Sequence, residues 1–336
     1  MQSFLIIQTA FIGDVILAIP LLEKLRRHYP EAAFDFLVRA GCEELFSNHP
    51  LVRRVLVWEK HQGKYLNLWR TLRLIRKQRY DCVINCQRFA ATGVLTGFSA
   101  ARMRIGFEGN PLAWRFTHKV SHEFGSGKHE IERNLKLIES MTNNRLVRPR
   151  LYPAESDFEL VRRFQEKPYL CIAPTSVWFT KQWPAEKWVE LIGKLVGRFT
   201  IYLVGGKADR GACQEISERC SSTTVINLAG NLTLLQTAAL MAGARMNYVN
   251  DSAPLHLASA MNAPVTVVFC STVPEFGFGP LSDNSRIVQT PLVLRCRPCG
   301  IHGRRECPEK HFDCARSIKV ESLLADASAQ QTSLGI

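Results

Sequence analysis

Short apolar segments alternate with amphipathic helical segments along most of this chain, and this alternation limits the folds that it can adopt. In the first half, the apolar segments occur at Phe4–Gln8, Ala33–Val38, Arg54–Trp58, Asp81–Asn85 and Met103–Gly106. Between them, apolar residues recur with helical spacing and predict helices over Val15–His28, Tyr65–Arg79 and Glu130–Met141. Because strands joined through helices run parallel, the pattern predicts an α/β fold built on a doubly wound, mostly parallel sheet.

The alternation stops and then starts again, which indicates two domains. Asn143–Ser156 is polar, contains proline and lacks periodicity, so we interpret it as the linker. We therefore predict a first domain over residues 1–150, a second over residues 151–325, and a frayed polar tail over residues 326–336. The elements predicted in the second half are strands at Tyr169–Ala173, Thr200–Val204, Val225–Leu228, Met246–Val249 and Val265–Phe269, and helices at Ala185–Val196, Ala208–Cys220, Leu234–Ala242, Ala253–Met261 and from about Ala315.

The composition excludes disordered and membrane-spanning chains. A hydrophobic content of 46% with 22% charged residues is typical of a globular protein. No apolar run approaches the roughly 18 residues that a membrane span needs, and Met1–Ile7 lacks the basic start of a secretory signal. Eleven cysteines, an odd number spread over predicted strands and helices, favour a reducing compartment, so we expect a cytoplasmic protein.

The net charge of +13 is concentrated in the first half of the chain. Residues 1–150 hold 24 Lys and Arg against 13 Asp and Glu, whereas the remaining residues are nearly balanced. This asymmetry favours an anionic partner or surface for the first half, and solubilising charge is the alternative.

Two strand-to-helix turns carry polar residues. Gly13 permits a tight turn, and Asp14 either caps the helix that we predict from Val15 or acts as a general base; the local sequence alone favours the cap. In the second half, Asp251 and Ser252 precede a helix that contains His256. The free N–H groups of such a helix start favour a diphosphate, and a cap with a surface histidine is the alternative.

The loop Ala173–Pro184 lies between a predicted strand and a predicted helix. It contains the hydroxyls of Thr175 and Ser176 and the mobile charge of Lys181, which together can bind phosphate. An ordinary loop packed through its two tryptophans explains the same residues equally well. The glycine pair that follows the next strand, before Asp209, is weaker and indicates only that a ligand can approach the backbone.

Four cysteines lie within the segment 296–314. Cys296, Cys299, Cys307 and Cys314 could hold a structural zinc ion, although their spacing matches no standard zinc finger. A reduced loop whose cysteines pack against the domain is the alternative, and the sequence slightly favours it.

The order of these segments resembles that of the glycosyltransferase family 9 heptosyltransferases, over nearly the whole chain. The resemblance rests on F-I-G-D at 11–14, T-S…T-K-Q-W-P at 175–184, N-D-S-A-P-L-H at 250–256 and the cysteine segment. It implies the GT-B fold, in which two Rossmann-like domains face a cleft. It also implies that the first domain binds the lipid-linked acceptor and the second binds the nucleotide sugar.

The resemblance implies a role for each matching residue. Asp14 matches the catalytic base. Asp209 matches an acidic residue near the ribose, and Leu232 falls in a segment that lines the adenine pocket. The residues that match the donor-phosphate segment are Thr175, Ser176 and Lys181. The residues that match the second donor-binding segment are Asp251, Ser252 and His256. Two departures, Thr175 and Ala253 where many members have glycine, bear on sugar and nucleotide preference.

From this resemblance we expect an inverting transfer of heptose from ADP-heptose to the inner core of lipopolysaccharide. The sequence has no Asp-x-Asp pair in a suitable loop, which agrees with catalysis that needs no divalent ion or other cofactor. The expected partners are the ADP-sugar, the lipid A-core acceptor and an anionic membrane surface, but no nucleic acid. We expect a monomer at the inner face of the cytoplasmic membrane.

Two other functions fit parts of the pattern. One is a related transferase that uses another sugar nucleotide on another surface glycan. The other is a zinc-stabilised nucleic-acid-binding protein, although its positive charge would lie in the half without the cysteine segment.

Overall fold

The structure is a computed structural model that describes residues 2–59 and 63–324. The chain divides into two compact units, Met1–Tyr152 and Pro153–Ile336. Each unit contains a six-stranded, wholly parallel sheet flanked by helices, as the strand–helix alternation predicts. The predicted tail at 326–336 lies outside the described residues.

The first unit has the strand order β3-β2-β1-β4-β5-β6. Its strands are β1 (Ser3–Ile7), β2 (Ala33–Arg39), β3 (Val52–Trp58), β4 (Cys82–Asn85), β5 (Met103–Phe107) and β6 (His118–Val120). Its helices are α1 (Ile12–Ala18), α2 (Pro20–His28), α3 (Lys64–Gln78), α4 (Ala90–Gly97) and α5 (Glu130–Lys136). The sequence patterns did not predict β6 or α4, because both are short.

The single helix predicted over Val15–His28 is wrong, since the structure has two helices there. Pro20 has no N–H group to donate to a preceding carbonyl, so the helix is interrupted before it. Ile19 instead donates to the carbonyl of Ile16 at 3.2 Å, and α2 begins at Pro20. The third predicted helix is also shorter, because it ends at Lys136 and a separate 3₁₀ turn covers Glu139–Met141.

The second unit has the strand order β12-β11-β10-β7-β8-β9. Its strands are β7 (Tyr169–Ala173), β8 (Thr200–Leu203), β9 (Val225–Asn227), β10 (Met246–Asn250), β11 (Val265–Phe269) and β12 (Ser285–Gln289). Its helices are α6 (Glu155–Arg162), α7 (Ala185–Leu195), α8 (Arg210–Cys220), α9 (Leu234–Gly243), α10 (Ala253–Ala260) and α11 (Asp313–Arg316). The predicted linker ends inside α6, and β12 was not predicted.

Each sheet has one place where the chain reverses its direction of winding. In the first unit the strands progress outward from β1 and then return to β4 on its other side, and β7 and β10 have the same relation in the second unit. The loops that leave such a strand pair diverge to opposite faces of the sheet, which opens a crevice at the carboxyl ends of the strands. This crevice is where α/β sheets bind ligands.

Aliphatic side chains of the strands form the core of each unit. In the first unit, Leu5, Ile7 and Val83 are fully buried and pack against Leu72 and Ile75 of α3. The core of the second unit includes Trp183 and Trp188, whose ring centroids lie 4.9 Å apart in an edge-to-face arrangement. Both tryptophans therefore fix the start of α7 to the sheet.

His49 is a buried titratable group at the entry to β3. Its side chain packs edge-on against Tyr152, with ring centroids 4.7 Å apart, and Nδ1 accepts a hydrogen bond from the backbone N–H of Leu51 at 3.3 Å. Burial lowers the pKa of His49 to about 4, because the charged imidazolium would lose its hydration.

We expect His49 to make the protein acid-sensitive. The unfolded chain takes up a proton near pH 6.5 that the folded chain binds only near pH 4, so the free energy of unfolding should fall as the pH drops between these values. Urea titrations at pH 7 and pH 4.5 should show this loss in the wild type. The loss should be smaller by about 2 kcal/mol in His49→Asn, which keeps an acceptor but no titratable group. An equal loss in both proteins would contradict the assignment.

Candidate functional site

A group of polar residues lies at the carboxyl ends of β7 and β10, the strand pair at the crossover of the second sheet. Thr175 and Ser176 follow β7, and Ser252 follows β10. The Ser252 hydroxyl lies 3.5 Å from the carbonyl oxygen of Thr175, and the side chain of Gln182 donates to the carbonyl of Ser176 at 2.7 Å. The fold thus brings residues from two distant segments of the sequence into one loop cluster.

Lys181 and Asp251 form an ion pair within this cluster. The Lys181 ammonium lies 2.7 Å from a carboxylate oxygen of Asp251, and the two side chains are only 15% and 6% exposed. Thr272 donates a second hydrogen bond to the same oxygen at 2.6 Å. The sequence interpretation of Lys181 as a mobile charge is therefore wrong, because Asp251 fixes its ammonium group.

The start of α10 is held to the sheet from below. Asn250 is fully buried, and its side-chain oxygen accepts from the backbone N–H of Trp183 at 3.0 Å. Ser252 is the N-cap, and Pro254 lies in the first turn. His256 is 4% exposed, so the alternative of a surface histidine is wrong. The helix therefore presents its N-terminal N–H groups toward the loop cluster from a fixed position.

Asp209 and Leu232 lie in the loops that follow β8 and β9. The carboxylate of Asp209 accepts from the backbone N–H of Gly206 at 2.7 Å and so caps the turn before α8. The backbone N–H of Gly230 donates to the carbonyl of Gly205 at 2.9 Å, which joins the two loops. Gly230 has a φ of +75° and lies close to the Lys207 backbone, where a side chain would clash. Asp209 and Leu232 thus lie on the same edge of the sheet as Lys181.

In the first unit, Asp14 lies at the corresponding edge beside β1. The sequence predicts that Asp14 caps a helix from Val15, but α1 begins at Ile12 and Asp14 is its third residue. Its carboxylate accepts from the backbone N–H of Phe11 at 3.2 Å. The side chain is half-buried, so it can both stabilise the helix start and meet a ligand.

Four further charged or titratable side chains form a group that reaches Asp14 through Glu130, and the sequence interpretation missed them. They are Arg88, His122, Glu130 and Arg133. Arg133 donates to the buried Glu130 carboxylate at 2.7 Å. Burial raises the pKa of Glu130, Arg133 opposes this, and the negative charge of Asp14 adds to the increase. Burial and the two arginines lower the pKa of His122 to about 4. Of these four residues, only Arg88 could have been predicted from the sequence, because it follows β4, the strand beside β1.

A hydrogen bond joins the loops after β1 and β4. The Thr9 hydroxyl donates to the side-chain oxygen of Gln87 at 2.6 Å, and both residues are buried. The segment that carries Arg88 is therefore anchored to the segment that leads into α1 and Asp14.

Thr180 connects the lysine loop of the second unit to the cysteine segment. Its hydroxyl accepts from the backbone N–H of Arg304 at 2.7 Å and lies 3.0 Å from the Ser271 hydroxyl. The backbone N–H of Thr180 donates in turn to the Arg304 carbonyl at 3.1 Å. Gly303 lies against Lys181 itself, so the cysteine segment supports the backbone that carries this lysine.

The four cysteines of the segment line one cavity of about 300 Å³, together with His311. Cys296 Sγ lies 3.8 Å from the His311 ring nitrogen. Burial and the neighbouring thiols raise the pKa of Cys314 to about 11, which keeps this thiol protonated at neutral pH. Within residues 2–59 and 63–324, no three His, Cys, Asp or Glu side chains are arranged as the ligands of a metal ion. The geometry thus gives no support to the zinc site.

We expect Thr180→Val to loosen the cysteine segment. The substitution keeps the side-chain volume but leaves the Arg304 N–H without its hydroxyl acceptor, which costs about 1–3 kcal/mol. Under native conditions, Ellman's reagent should therefore modify the cysteines faster in Thr180→Val than in wild type. Thr180→Ser, which keeps the hydroxyl, is the matched control and should react at the wild-type rate. Equal rates in all three proteins would show that Thr180 does not hold the segment.

Comparison with known proteins places these residues in context. Residues 67–312 match the model of "Glycosyltransferase family 9 (heptosyltransferase)". The chain is 29% identical to lipopolysaccharide heptosyltransferase 1 of Pseudomonas aeruginosa over 324 residues, which cover 88% of this chain and 85% of that protein. The structure of E. coli ADP-heptose lps heptosyltransferase II superposes with a TM-score of 0.80 at 22% identity and covers 98% of both chains. E. coli heptosyltransferase WaaC with ADP-2-deoxy-2-fluoro heptose gives a TM-score of 0.74 at 18% identity, covering 98% of this chain and all of that one. The GT-B fold expected from the sequence is confirmed.

Proposed function

This chain belongs to glycosyltransferase family 9, and from that premise we propose that it transfers heptose from ADP-heptose to the inner core of lipopolysaccharide. The names of its relatives support the substrates, since they include lipopolysaccharide heptosyltransferases and a heptosyltransferase described with an ADP-heptose analogue. The observation that carries the proposal is the Lys181–Asp251 pair at the crossover of the second sheet. A related transferase for another ADP-sugar would use the same residues.

We assign the donor diphosphate to the loop cluster of the second unit. Lys181 would contact the phosphates, and the hydroxyls of Thr175, Ser176 and Ser252 would donate hydrogen bonds to them. The N–H groups at the start of α10 add a favourable dipole. In this proposal Asp251 orients the ammonium rather than binding the anion directly, because its own charge would repel phosphate. The buried side chain of His256 would stabilise the start of α10.

The nucleoside would extend along the same edge of the sheet. Leu232, partly exposed in the loop before α9, would offer an apolar contact to adenine, and Asp209 would offer a carboxylate to the ribose hydroxyls. Because Asp209 also caps the turn at Gly206, binding of ribose would share this carboxylate with the backbone.

Asp14 would act as the general base on the acceptor bound to the first unit. It removes the proton of the acceptor hydroxyl while the oxygen attacks the anomeric carbon. The bond from that carbon to the diphosphate oxygen breaks, and ADP leaves from the opposite face, so the configuration inverts. Lys181 and the helix start offset the charge that grows on the diphosphate. This assignment gives each of the two polar clusters one task in a single displacement.

The partner at the first unit would be the anionic lipid A-core acceptor in its membrane. Residues 1–150 carry a net charge of +11, which suits phosphates, acidic sugars and anionic headgroups. We propose that the protein lies at the inner face of the cytoplasmic membrane, held there peripherally. No helix within the described ranges has both the length and the apolar character to cross a bilayer.

We expect Asp14→Asn to lower kcat by roughly 10²–10⁴-fold, the usual contribution of a general base. The amide oxygen can still accept from the Phe11 N–H, so the melting temperature should change little. Asp157→Asn is the matched control, because Asp157 is also the third residue of a helix and accepts from the N–H of Ala154 at 2.9 Å. Near-normal turnover in Asp14→Asn would leave Asp14 with a structural role only.

We expect Lys181→Ala to weaken ADP binding by roughly 10–100-fold, the value of a charge-assisted hydrogen bond. Isothermal titration calorimetry measures this directly. Lys187→Ala is the control, since Lys187 pairs with Glu190 on α7 in the same unit. We expect His256→Gln to weaken ADP binding to a smaller extent, because His256 is buried. Unchanged ADP affinity in both site variants would place the donor elsewhere.

We expect active protein purified without chelator to contain far less than one metal ion per chain by elemental analysis. This is the result that the packed-thiol interpretation of the cysteine segment predicts. One zinc ion per chain that is lost in Cys299→Ser would instead establish a structural site, since four thiolates leave no open position.

A further inference from the structure

The outer face of α3 in the first unit exposes large apolar side chains. Tyr65 is 82% exposed, Leu66 54%, Trp69 49% and Leu74 50%. The opposite face already supplies the contacts that the fold needs, because Leu72 and Ile75 are buried in the core and Leu68 packs against it. Each of these four apolar residues therefore keeps about half or more of its surface exposed.

The same face carries positive charge without compensation. Lys64–Gln78 contains five basic residues and no acidic residue. The side chains of Arg70, Arg73, Arg76 and Lys77 are exposed, and among the described residues none of these four forms an ion pair. The exposed helix α8 differs, since its Arg219 pairs with Glu215 at 3.7 Å.

Apolar and basic side chains alternate over the face instead of forming separate zones. Leu66, Arg70, Arg73 and Lys77 succeed one another at intervals of three or four residues, so they form one stripe along the helix. Trp69 and Leu74 lie on either side of this stripe. The guanidinium of Arg73 lies over the Trp69 ring, 5.1 Å from its centroid, which joins the two kinds of side chain.

We propose that this face of α3 docks the enzyme on an anionic phospholipid bilayer, with Tyr65, Leu66, Trp69 and Leu74 inserted among headgroups that the basic residues contact. The proposal rests on the proposed function, because a lipid-linked acceptor brings the enzyme to a bilayer. Tryptophan and tyrosine prefer the interface between acyl chains and water, and basic residues beside them attract anionic headgroups.

The interleaved pattern favours lipid over other anionic partners. A protein interface has an apolar centre depleted in charge and a polar rim, whereas here cations lie between the apolar side chains. A nucleic acid would contact the arginines but would gain nothing from Leu66 and Leu74. A headgroup layer over acyl chains satisfies both kinds of side chain at once, because a helix lying in its plane exposes one face to both regions.

Vesicle sedimentation tests the surface directly. The full chain is mixed with vesicles of phosphatidylcholine containing 30% phosphatidylglycerol, and with phosphatidylcholine alone. We expect wild type to partition into the anionic vesicles. The double variant Arg73→Glu/Lys77→Glu should reduce the partition coefficient by roughly 25-fold or more, because each cation removed lowers it about fivefold. Leu66→Ser/Trp69→Ser should reduce it about tenfold or more, because apolar burial is lost.

Two matched controls lie in the second unit. Arg163→Glu/Lys167→Glu reverses two exposed charges there, and Leu292→Ser/Val293→Ser removes an exposed apolar pair. Both should partition as wild type does. Equal losses in the control and α3 variants would overturn the proposal, since net charge or general hydrophobicity would then suffice. The proposal would also be overturned if either α3 variant partitioned as wild type does. It would be overturned as well if the wild-type protein bound an acidic protein or RNA but not the vesicles.

Tryptophan fluorescence tests insertion independently of affinity. Brominated phosphatidylcholine quenches an indole that lies within the bilayer. We expect vesicle-bound wild type to be quenched, Trp69→Phe to lose most of this quenching while still sedimenting, and Trp114→Phe to keep it. Trp114 is 71% exposed but lies outside α3. Unchanged quenching in Trp69→Phe would contradict insertion of this face.

Activity with two forms of acceptor separates this proposal from the proposed function. With acceptor in vesicles, the α3 variants should turn over more slowly at low vesicle concentration. With a detergent-dispersed acceptor they should match wild type. If no heptosyl transfer occurs with either form, the proposed function fails while the vesicle data still decide whether α3 docks on lipid.

Discussion

The parallel direction of every strand is the constraint on which the candidate sites depend. Parallel strands place all their carboxyl ends on one edge of a sheet, so each loop that leaves a strand meets the loops of its neighbours there. In the second unit this brings together Lys181 and Asp251, which are 70 residues apart in the sequence, because β7 and β10 are adjacent. In the first unit the same relation between β1 and β4 places Thr9 against Gln87. The order of strands therefore determines which chemical groups meet.

Packing around Lys181 shows how the fold fixes a flexible side chain. A lysine in a surface loop keeps many rotamers, and restricting them costs conformational entropy. Here the buried carboxylate of Asp251, itself held by the Thr272 hydroxyl, and the backbone at Gly303 both restrict the residue. The cysteine segment thus has a structural use, because it holds Thr180 and, through it, the lysine loop. A donor phosphate that binds there would meet a charge already placed.

The two units divide their charge differently. The charges of the second unit nearly balance, and its central pair, Lys181 and Asp251, is buried. The first unit combines a buried group at Glu130 near Asp14 with an outer helix face on which Arg70, Arg73, Arg76 and Lys77 form no ion pair with any described residue. Buried, paired charges suit a defined small ligand, since desolvation strengthens each contact. Exposed, unpaired charges suit an extended anionic surface, where attraction is long-ranged and screened by salt.

The sequence by itself determined the class of fold, the family and most of the strands and helices. Periodicity is a local property, and the boundaries of strands such as Tyr169–Ala173 follow from it. Prediction from periodicity failed at Pro20, because a proline interrupts a helix, and at elements as short as His118–Val120. The motif residues Asp14, Lys181 and Asp251 were also readable from the sequence. Only the tertiary structure decided that Asp251 holds Lys181, that His256 is buried, and that Glu130, paired with Arg133, lies near Asp14. These relations join residues distant in sequence, and no local pattern encodes the distance between two side chains that only sheet order brings together.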